Sequence, residues 1–470
     1  MFRTLAMTSM LALAACTTGP DYVHPQMLAS TAPPFIGSTT PLVSATAEAD
    51  GQWWRLYQDP VLDGLIADAL VANRDIAVAT ANVERARAAL RGARSDRLPQ
   101  GTIDATGGYQ RLSTAQTGAG IDRQSDIANV GFSVSYEVDL FGRVSRSIEA
   151  ARGDAAAADA QRDVVRVAVV AETARAYADL GSLAERIRVA QRIVTLVDQS
   201  VRLTAKRYDA GVATRLDTAR SAALRDQVRA TVPPLLAQRE AALYTLAELT
   251  GRTPRDLPTE ISAQSGVLHL DRPVPVGDGR LLLARRPDVR EAERRLAAET
   301  ARIGVATAEL YPSISLGGSV GSSGGGFGNV LGGSVLRWFT GGLLSWNFPN
   351  QEAARARIAG ARAGSAAALA TFDATVLRAL KETEIALSAY SREQERRQAL
   401  FDARAEGETA VRIVRAQLRE GRVDSLSLID AERNFADIEA ALAASDARVV
   451  TTQIDLFRAL GGGWQEPAKS

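Results

Sequence analysis

The chain has 470 residues, 46% hydrophobic and 23% charged, with 55 basic and 54 acidic side chains. A formal net charge of +1 excludes the concentrated positive surplus that neutralising phosphates requires. One cysteine and two histidines, His24 and His269, leave no intrachain disulfide, no cysteine-based metal cluster and no His-based triad. No catalytic residue, metal site or cofactor is therefore expected, and nucleic acid is not an expected partner. The three lysines, Lys206, Lys381 and Lys469, lie outside any Gly-x-x-x-x-Gly-Lys-Ser/Thr pattern, so a phosphate-binding loop is not expected either.

In chain order, residues 1–15 carry Arg3 and then an apolar stretch ending Leu11-Ala12-Leu13-Ala14-Ala15, too short to span a bilayer and read as an export signal peptide. Leu13-Ala14-Ala15-Cys16 resembles a bacterial lipobox, which makes Cys16 the site of lipidation. Thr17 stands where aspartate would favour inner-membrane retention, and acyl chains would hold the mature N-terminus to a leaflet. Residues 17–50, rich in Thr, Ser, Pro and Ala, read as an extended tether.

Beyond the tether, identities recur at a constant offset of 210: Glu172 with Glu382, Gly211 with Gly421, Leu216 with Leu426, Leu246 with Leu456, Gly251 with Gly461. Upstream the offset is 213, pairing Asp75 with Asp288 and Pro99 with Pro312. Both halves follow one plan, helix, strand pair, very long helix, glycine break and second long helix, as in a tandem duplication. The first long helix, from about Arg143 to Tyr208, contains no proline and steps through Ala190, Val194, Val197, Val201, Thr204 and Tyr208, a heptad seam. Such a helix would be ~100 Å long. The second runs from about Glu352 to Leu418, and antiparallel partners follow at about Thr214 to Leu249 and Ser425 to Leu460. Pro233-Pro234 must interrupt the first partner.

Between the helices the period changes to two. Val130, Phe132, Val134, Tyr136, Val138 and Leu140 alternate with Gly131, Ser133, Ser135, Glu137 and Asp139, and Ile103, Ala105, Gly107 and Tyr109 alternate more weakly. Ile314, Leu316, Gly318 and Val320 form a third candidate; Leu344, Trp346 and Phe348 share one face of a fourth. Trp338, Trp346, Tyr109 and Tyr136 suit interfacial belts, and Arg111 to Asp126 and Gly321 to Gly333 read as external loops. These strands have the length that crosses a bilayer, or else form a soluble sheet with one wet face. Four strands cannot close a barrel, and an open edge in hydrocarbon costs several kcal/mol per unpaired backbone group, so crossing requires several chains. A trimer supplies twelve strands, a size that can leave a lumen.

At this point the residues resemble the TolC-like outer-membrane efflux proteins, in the lipoprotein branch that serves tripartite resistance-nodulation-division pumps. The resemblance spans the mature chain and rests on Cys16-Thr17-Thr18-Gly19-Pro20-Asp21-Tyr22 with Pro25, Trp53-Trp54 with Asp59-Pro60 and Leu62, and Tyr136-Glu137-Val138-Asp139-Leu140-Phe141-Gly142-Arg143. Arg285-Arg286-Pro287-Asp288-Val289, Ala292-Glu293, Leu310-Tyr311-Pro312 and Ala459-Leu460-Gly461-Gly462-Gly463-Trp464 complete it. Gly279-Arg280-Leu281-Leu282 departs from the family's usual Leu-Pro-Ser-Asp, which puts one connection in doubt.

The resemblance implies a mixed α and β fold. Long antiparallel coiled-coil helices build an α-barrel, and four membrane strands per chain close as a 12-stranded β-barrel in a homotrimer. The expected division is signal peptide 1–15, lipid-anchored segment 16–59, first efflux repeat 60–251, equatorial connection 252–284, second repeat 285–461 and tail 462–470. Implied partners are a periplasmic adaptor, an inner-membrane resistance-nodulation-division pump and outer-membrane lipid. Gly211 and Gly421 become the hairpin tips, and Leu426, Asp430 and Arg433, at helical spacing on one face, the periplasmic gate. The first half offers Leu216, Arg220 and Ala223 at the same places. Pro287 and Asp288 suit a helix start. The function expected is a passive exit duct for small toxic compounds across periplasm and outer membrane, not an enzyme. A non-conducting coiled-coil scaffold lipoprotein, an outer-membrane secretion component and a lipid-anchored hydrolase are the alternatives.

Overall fold

The computed structural model describes residues 17–25, 33–44, 51–113, 115–116, 120, 122–270, 272–324 and 336–463. The signal peptide, Cys16, Trp464 and most of the Gly321–Gly333 loop lie outside them. In chain order the elements are β1 (Val43–Ser44), α1 (Pro60–Ala72), α2 (Arg74–Ser95), β2 (Gln100–Arg111), β3 (Gln124–Val138) and α3 (Arg143–Asp209). They continue with α4 (Arg215–Arg229), α5 (Val232–Leu249), α6 (Thr259–Ser262), β4 (Val274–Pro275), α7 (Gly279–Arg285) and α8 (Pro287–Ala308). The last are β5 (Ser313–Gly324), β6 (Leu336–Ser345), α9 (Glu352–Arg419) and α10 (Ser425–Ala459). The offsets seen in sequence recur here: α2 and α8 start 213 residues apart, as do β2 and β5, and α4 and α10 start 210 apart. The chain divides into two compact units.

The first unit, Met1–Pro25, Asn82–Asp159 and Glu291–Asp373, holds a four-stranded antiparallel sheet in the order β2-β3-β5-β6. Directly opposed residues of antiparallel strands face the same side. Ile103, Phe132, Val320 and Trp338 therefore form one continuous row, with Ala105, Val130, Ser322 and Leu336 beside it. The other face carries Thr102, Ser133, Ser319 and Phe339, with the Thr102 and Ser133 hydroxyls bonded at 2.7 Å. The last strand begins at Leu336 and ends at Ser345, so Trp338 is a strand residue and Trp346 and Phe348 lie past its end.

Residues 17–25 belong to this unit and are not a tether. Thr18 donates its amide and hydroxyl to Phe141 O, Arg146 pairs with Asp21 at 2.6 Å, and Glu293 accepts from the Tyr22 hydroxyl at 3.0 Å. A composition typical of linkers conceals these bonds, because the same hydroxyls and amides that solvate a loop also pair with backbone carbonyls.

The second unit, Gln26–Ala81, Ala160–Arg290 and Ala374–Ser470, is helical apart from the parallel pair β1–β4. Its core gathers Trp53, Leu62, Ile66, Tyr177, Leu246, Leu387, Ile454 and Phe457, with Trp53 stacked on Phe457 at 4.8 Å. Residues 33–44 also depart from the tether reading, since Glu384 accepts from the backbone amides of Ile36 and Gly37 at 2.8 and 3.0 Å. Local chemistry fixes the helix starts. Asp59 caps α1 through Val61 and Leu62 N–H, and Asn73 caps α2 through Asp75 and Ile76 N–H. Between α4 and α5 the helix is interrupted at Ala230 and Thr231, just ahead of Pro233-Pro234.

Candidate functional site: the strand wall and the hairpin tips

The corner that joins sheet to first long helix is built by the Tyr136–Arg143 motif. Asp139 accepts from Val144 N–H at 3.0 Å and from Ser145 N–H at 2.8 Å, satisfying donors that the helix start would leave bare. Glu137 accepts from the Arg143 Nε at 2.7 Å. The Arg285–Val289 motif is a helix start: α8 begins at Pro287, and Arg286, buried, binds Asp288, Glu382 and the carbonyl of Ala459.

Both long helices end at a glycine with positive φ, Gly211 at 71° and Gly421 at 70°. The amide of the next residue reaches back to Arg207 O and to Gln417 O, both at 2.9 Å, the closing bond of a left-handed C-terminal cap that residues with a Cβ adopt only at a cost. Each return helix is then capped. Thr214 and Asp217 form a reciprocal capping box, and Asp424 accepts from Ser427 N–H at 2.9 Å. Hydrogen bonds from Thr214 hold the Asp217 carboxyl below its usual range, and bonds from Ser427 do the same for Asp424; Arg220 adds to both.

Leu426, Asp430 and Arg433 all lie exposed on one face of α10, and Leu216 and Arg220 are exposed on α4. Neither Asp430 nor Arg433 has a hydrogen bond or ion pair among the described residues. Arg433 borders a groove of about 420 Å³ lined by Ile193, Leu224, Val228 and Pro234, at the place where the first return helix breaks.

On the opposite face of α10 the structure holds a set of residues that sequence reasoning missed. Glu432, Glu439, Asp446 and Gln453 stand seven residues apart and meet Arg415, Arg404, Arg397 and Tyr390 of α9 at 2.7, 2.7, 2.6 and 3.2 Å. Glu432 also accepts from Ser200 of α3 at 2.5 Å, and Glu439 lies 3.3 Å from Arg192. The seam of α3 accordingly centres on Ile193, Val197, Ser200 and Thr204, all buried, whereas Val194 and Val201 are half-buried and Tyr208 is exposed. A polar residue at every seventh position was the available signal.

No helix among the described residues is long and apolar enough to cross a membrane. What the chain offers instead is a sheet with two open edges and an exposed apolar face, joined in sequence to rods with capped, charged tips, the parts of a conduit wall. Residues 65–252 and again 279–462 match the family described as outer membrane efflux protein. The chain is 31% identical to the probable efflux pump outer membrane protein TtgC of Pseudomonas putida over 98% of its own length and 96% of that protein. It is likewise 31% identical to the outer membrane protein OprJ of Pseudomonas aeruginosa, over 99% and 96%. The solved structure of the outer-membrane channel OprN superposes with a TM-score of 0.89 at 34% identity, covering 96% of this chain and all of that one. The chain belongs to the outer membrane efflux protein family. It is the outer-membrane channel component of a tripartite efflux system, and not an enzyme.

Proposed function

We propose that three copies of this chain close a twelve-stranded barrel in the outer membrane and continue it as an α-barrel into the periplasm, forming a passive exit duct for small toxic compounds, antibiotics among them. The observation that carries this is the four-stranded sheet: β2 and β6 each have one edge unpaired among the described residues, and the face bearing Ile103, Phe132 and Trp338 is exposed. In hydrocarbon that arrangement is tolerable only if neighbouring copies take up the edges. Residues 1–15 are the export signal, and Cys16, acylated, anchors the segment 16–59 to outer-membrane lipid. Residues 60–251 and 285–461 are the two repeats, 252–284 the equatorial connection and 462–470 the tail.

Leu426, Asp430 and Arg433 form the periplasmic gate and Gly211 and Gly421 the tips. Three copies of Asp430 would set a ring of carboxylates around the axis while Leu426 narrows it, which attracts cations and restricts the bore. A periplasmic adaptor docks at the tips, and an inner-membrane resistance-nodulation-division pump supplies the energy. The test is planar-bilayer conductance of the purified, crosslinked trimer. Discrete channels support the duct, whereas a trimer that never conducts, even as Asp430→Ala, identifies a scaffold. Palmitate labelling that persists in Cys16→Ser removes the anchor assignment.

A further inference from the structure

Glu432 is 1% exposed, placed where α3, α9 and α10 meet. One carboxylate oxygen accepts from Ser200 at 2.5 Å and from Arg415 at 2.7 Å; the other, Oε2, is buried with no hydrogen-bond partner among the described residues. Those two are the polar groups facing it from α3 and α9. On its own helix the next seam position is Glu439, already held by Arg404 and Arg192, while Asp430 lies on the opposite face and Arg433 is exposed about 100° round the helix.

We infer that Glu432 is a positioning residue for the gate: wedged between three helices with half its carboxylate unsolvated, it weights the packed arrangement seen here against itself and sets how readily α10 parts from its neighbours to open the tip. This rests on the gate reading above. A buried polar atom without a partner carries a desolvation cost that water removes on opening, and only a difference of that kind between two arrangements can move their balance. Burial pushes the Glu432 carboxyl above the usual carboxylate range, against the opposing pull of Ser200 and Arg415. Protonation therefore relieves the packed arrangement, and acid holds α10 against its neighbours. The capping carboxylates Asp217 and Asp424 are held low and titrate below this window.

The experiment compares wild type with Glu432→Gln in planar bilayers at pH 7.5 and pH 5. The wild-type open probability is expected to fall on acidification, and the variant to be about tenfold less open at pH 7.5 and flat with pH. A Glu432→Gln channel that keeps the wild-type pH profile overturns the inference. Thermal melting tests it without conductance. A carboxyl raised in the folded state contributes stability that is present below its unfolded value and lost as pH rises through its folded value, so wild type should lose stability relative to Glu432→Gln between pH 5 and pH 7.5. Arg415→Gln should be more damaging at pH 7.5 than at pH 5, because it leaves the ionised carboxylate with the Ser200 hydroxyl and no cation. Equal damage at both values also overturns it. A wild-type trimer that never conducts removes the duct reading and the gate role with it, whereas a conducting trimer whose melting shows no pH-dependent difference from Glu432→Gln overturns the Glu432 role alone.

Discussion

The two helical hairpins descend from one plan and hold themselves together differently. In both, the residue before the helix that leads into the strand pair, α2 or α8, donates to the carbonyl that ends the return helix: Asn73 to Leu249 O at 3.1 Å, Arg286 to Ala459 O at 3.0 Å. Both return helices finish on a glycine at positive φ, Gly251 at 66° and Gly461 at 69°. Between these shared ends the halves diverge. The α10 helix runs unbroken for 35 residues on a polar ladder to α9. Its counterpart is split into α4 and α5 and carries Ala222, Arg229, Leu236 and Leu243 where the ladder would be. Duplication preserved the caps that define where a helix stops and released the seam that defines what it holds. A seam with directional pairs specifies one register, while an apolar or broken one specifies less.

The strongest way to break this comparison is at the foot of the second hairpin. Phe457 is fully buried on Trp53, and Phe457→Ala should cost about 3–5 kcal/mol of folding stability, whereas its first-half counterpart Ala247→Gly should cost about 1 kcal/mol. Thermal melting in detergent measures both. Next, Arg404→Ala leaves Glu439, 4% exposed, with Arg192 at 3.3 Å as its remaining cation and should cost about 2 kcal/mol, against about 1 kcal/mol for Val194→Ala at the matching first-half position. Similar losses at the two sites would mean that the ladder adds nothing.

At the tips the halves should behave alike. Gly211→Ala and Gly421→Ala each place a Cβ in left-handed backbone, at a cost of about 1–2 kcal/mol. Unequal losses on chemical denaturation would show that the two turns bear different loads. Asp430→Ala should raise single-channel open probability by roughly a few-fold, with Arg220→Ala leaving it unchanged; the reverse order would move the gate to the first hairpin. The smallest effect is an acid one. Asp217 and Asp424 are depressed in the fold, so their capping contribution is present above the ordinary carboxylate range and is lost as pH falls through the folded value. Amide protection factors at 214–218 and 424–428, corrected for the intrinsic rate at each pH, should fall below about pH 4, and Asp424→Asn should abolish the second response alone.

Periodicity made the rods, strands and tips legible, since a long proline-free helix ended by glycine and a period-two stretch of Val, Phe and Tyr leave few alternatives. Val130, Phe132, Val134 and Tyr136 share the face that alternation assigned them. Two classes of feature stayed hidden. Thr17 to Pro25 resembles a linker in composition, and only the positions of Phe141, Arg146 and Glu293 in space turn it into a strap. Ser200 and Glu432 are polar residues inside a seam, and a scan for apolar steps passes over both; each becomes visible only when its partner on another helix is known. Ala190, Val197 and Thr204 are buried where the scan has them, while Val194 and Val201 give way to their buried neighbours Ile193 and Ser200, so alternate positions of the seam shift by one residue. Gate membership of Leu426, Asp430 and Arg433 came from resemblance and spacing, and the single chain adds that all three sit exposed together.

The unpaired margins of β2 and β6 also carry a genetic implication. If no copy can sit in lipid alone, a defective allele does not simply go missing: it is recruited. If three copies assemble as proposed, with normal and spoiled subunits made in equal amounts and mixing at random, roughly one assembly in eight is free of the spoiled kind, so a truncation that still offers one clean margin should poison the function of the intact gene beside it.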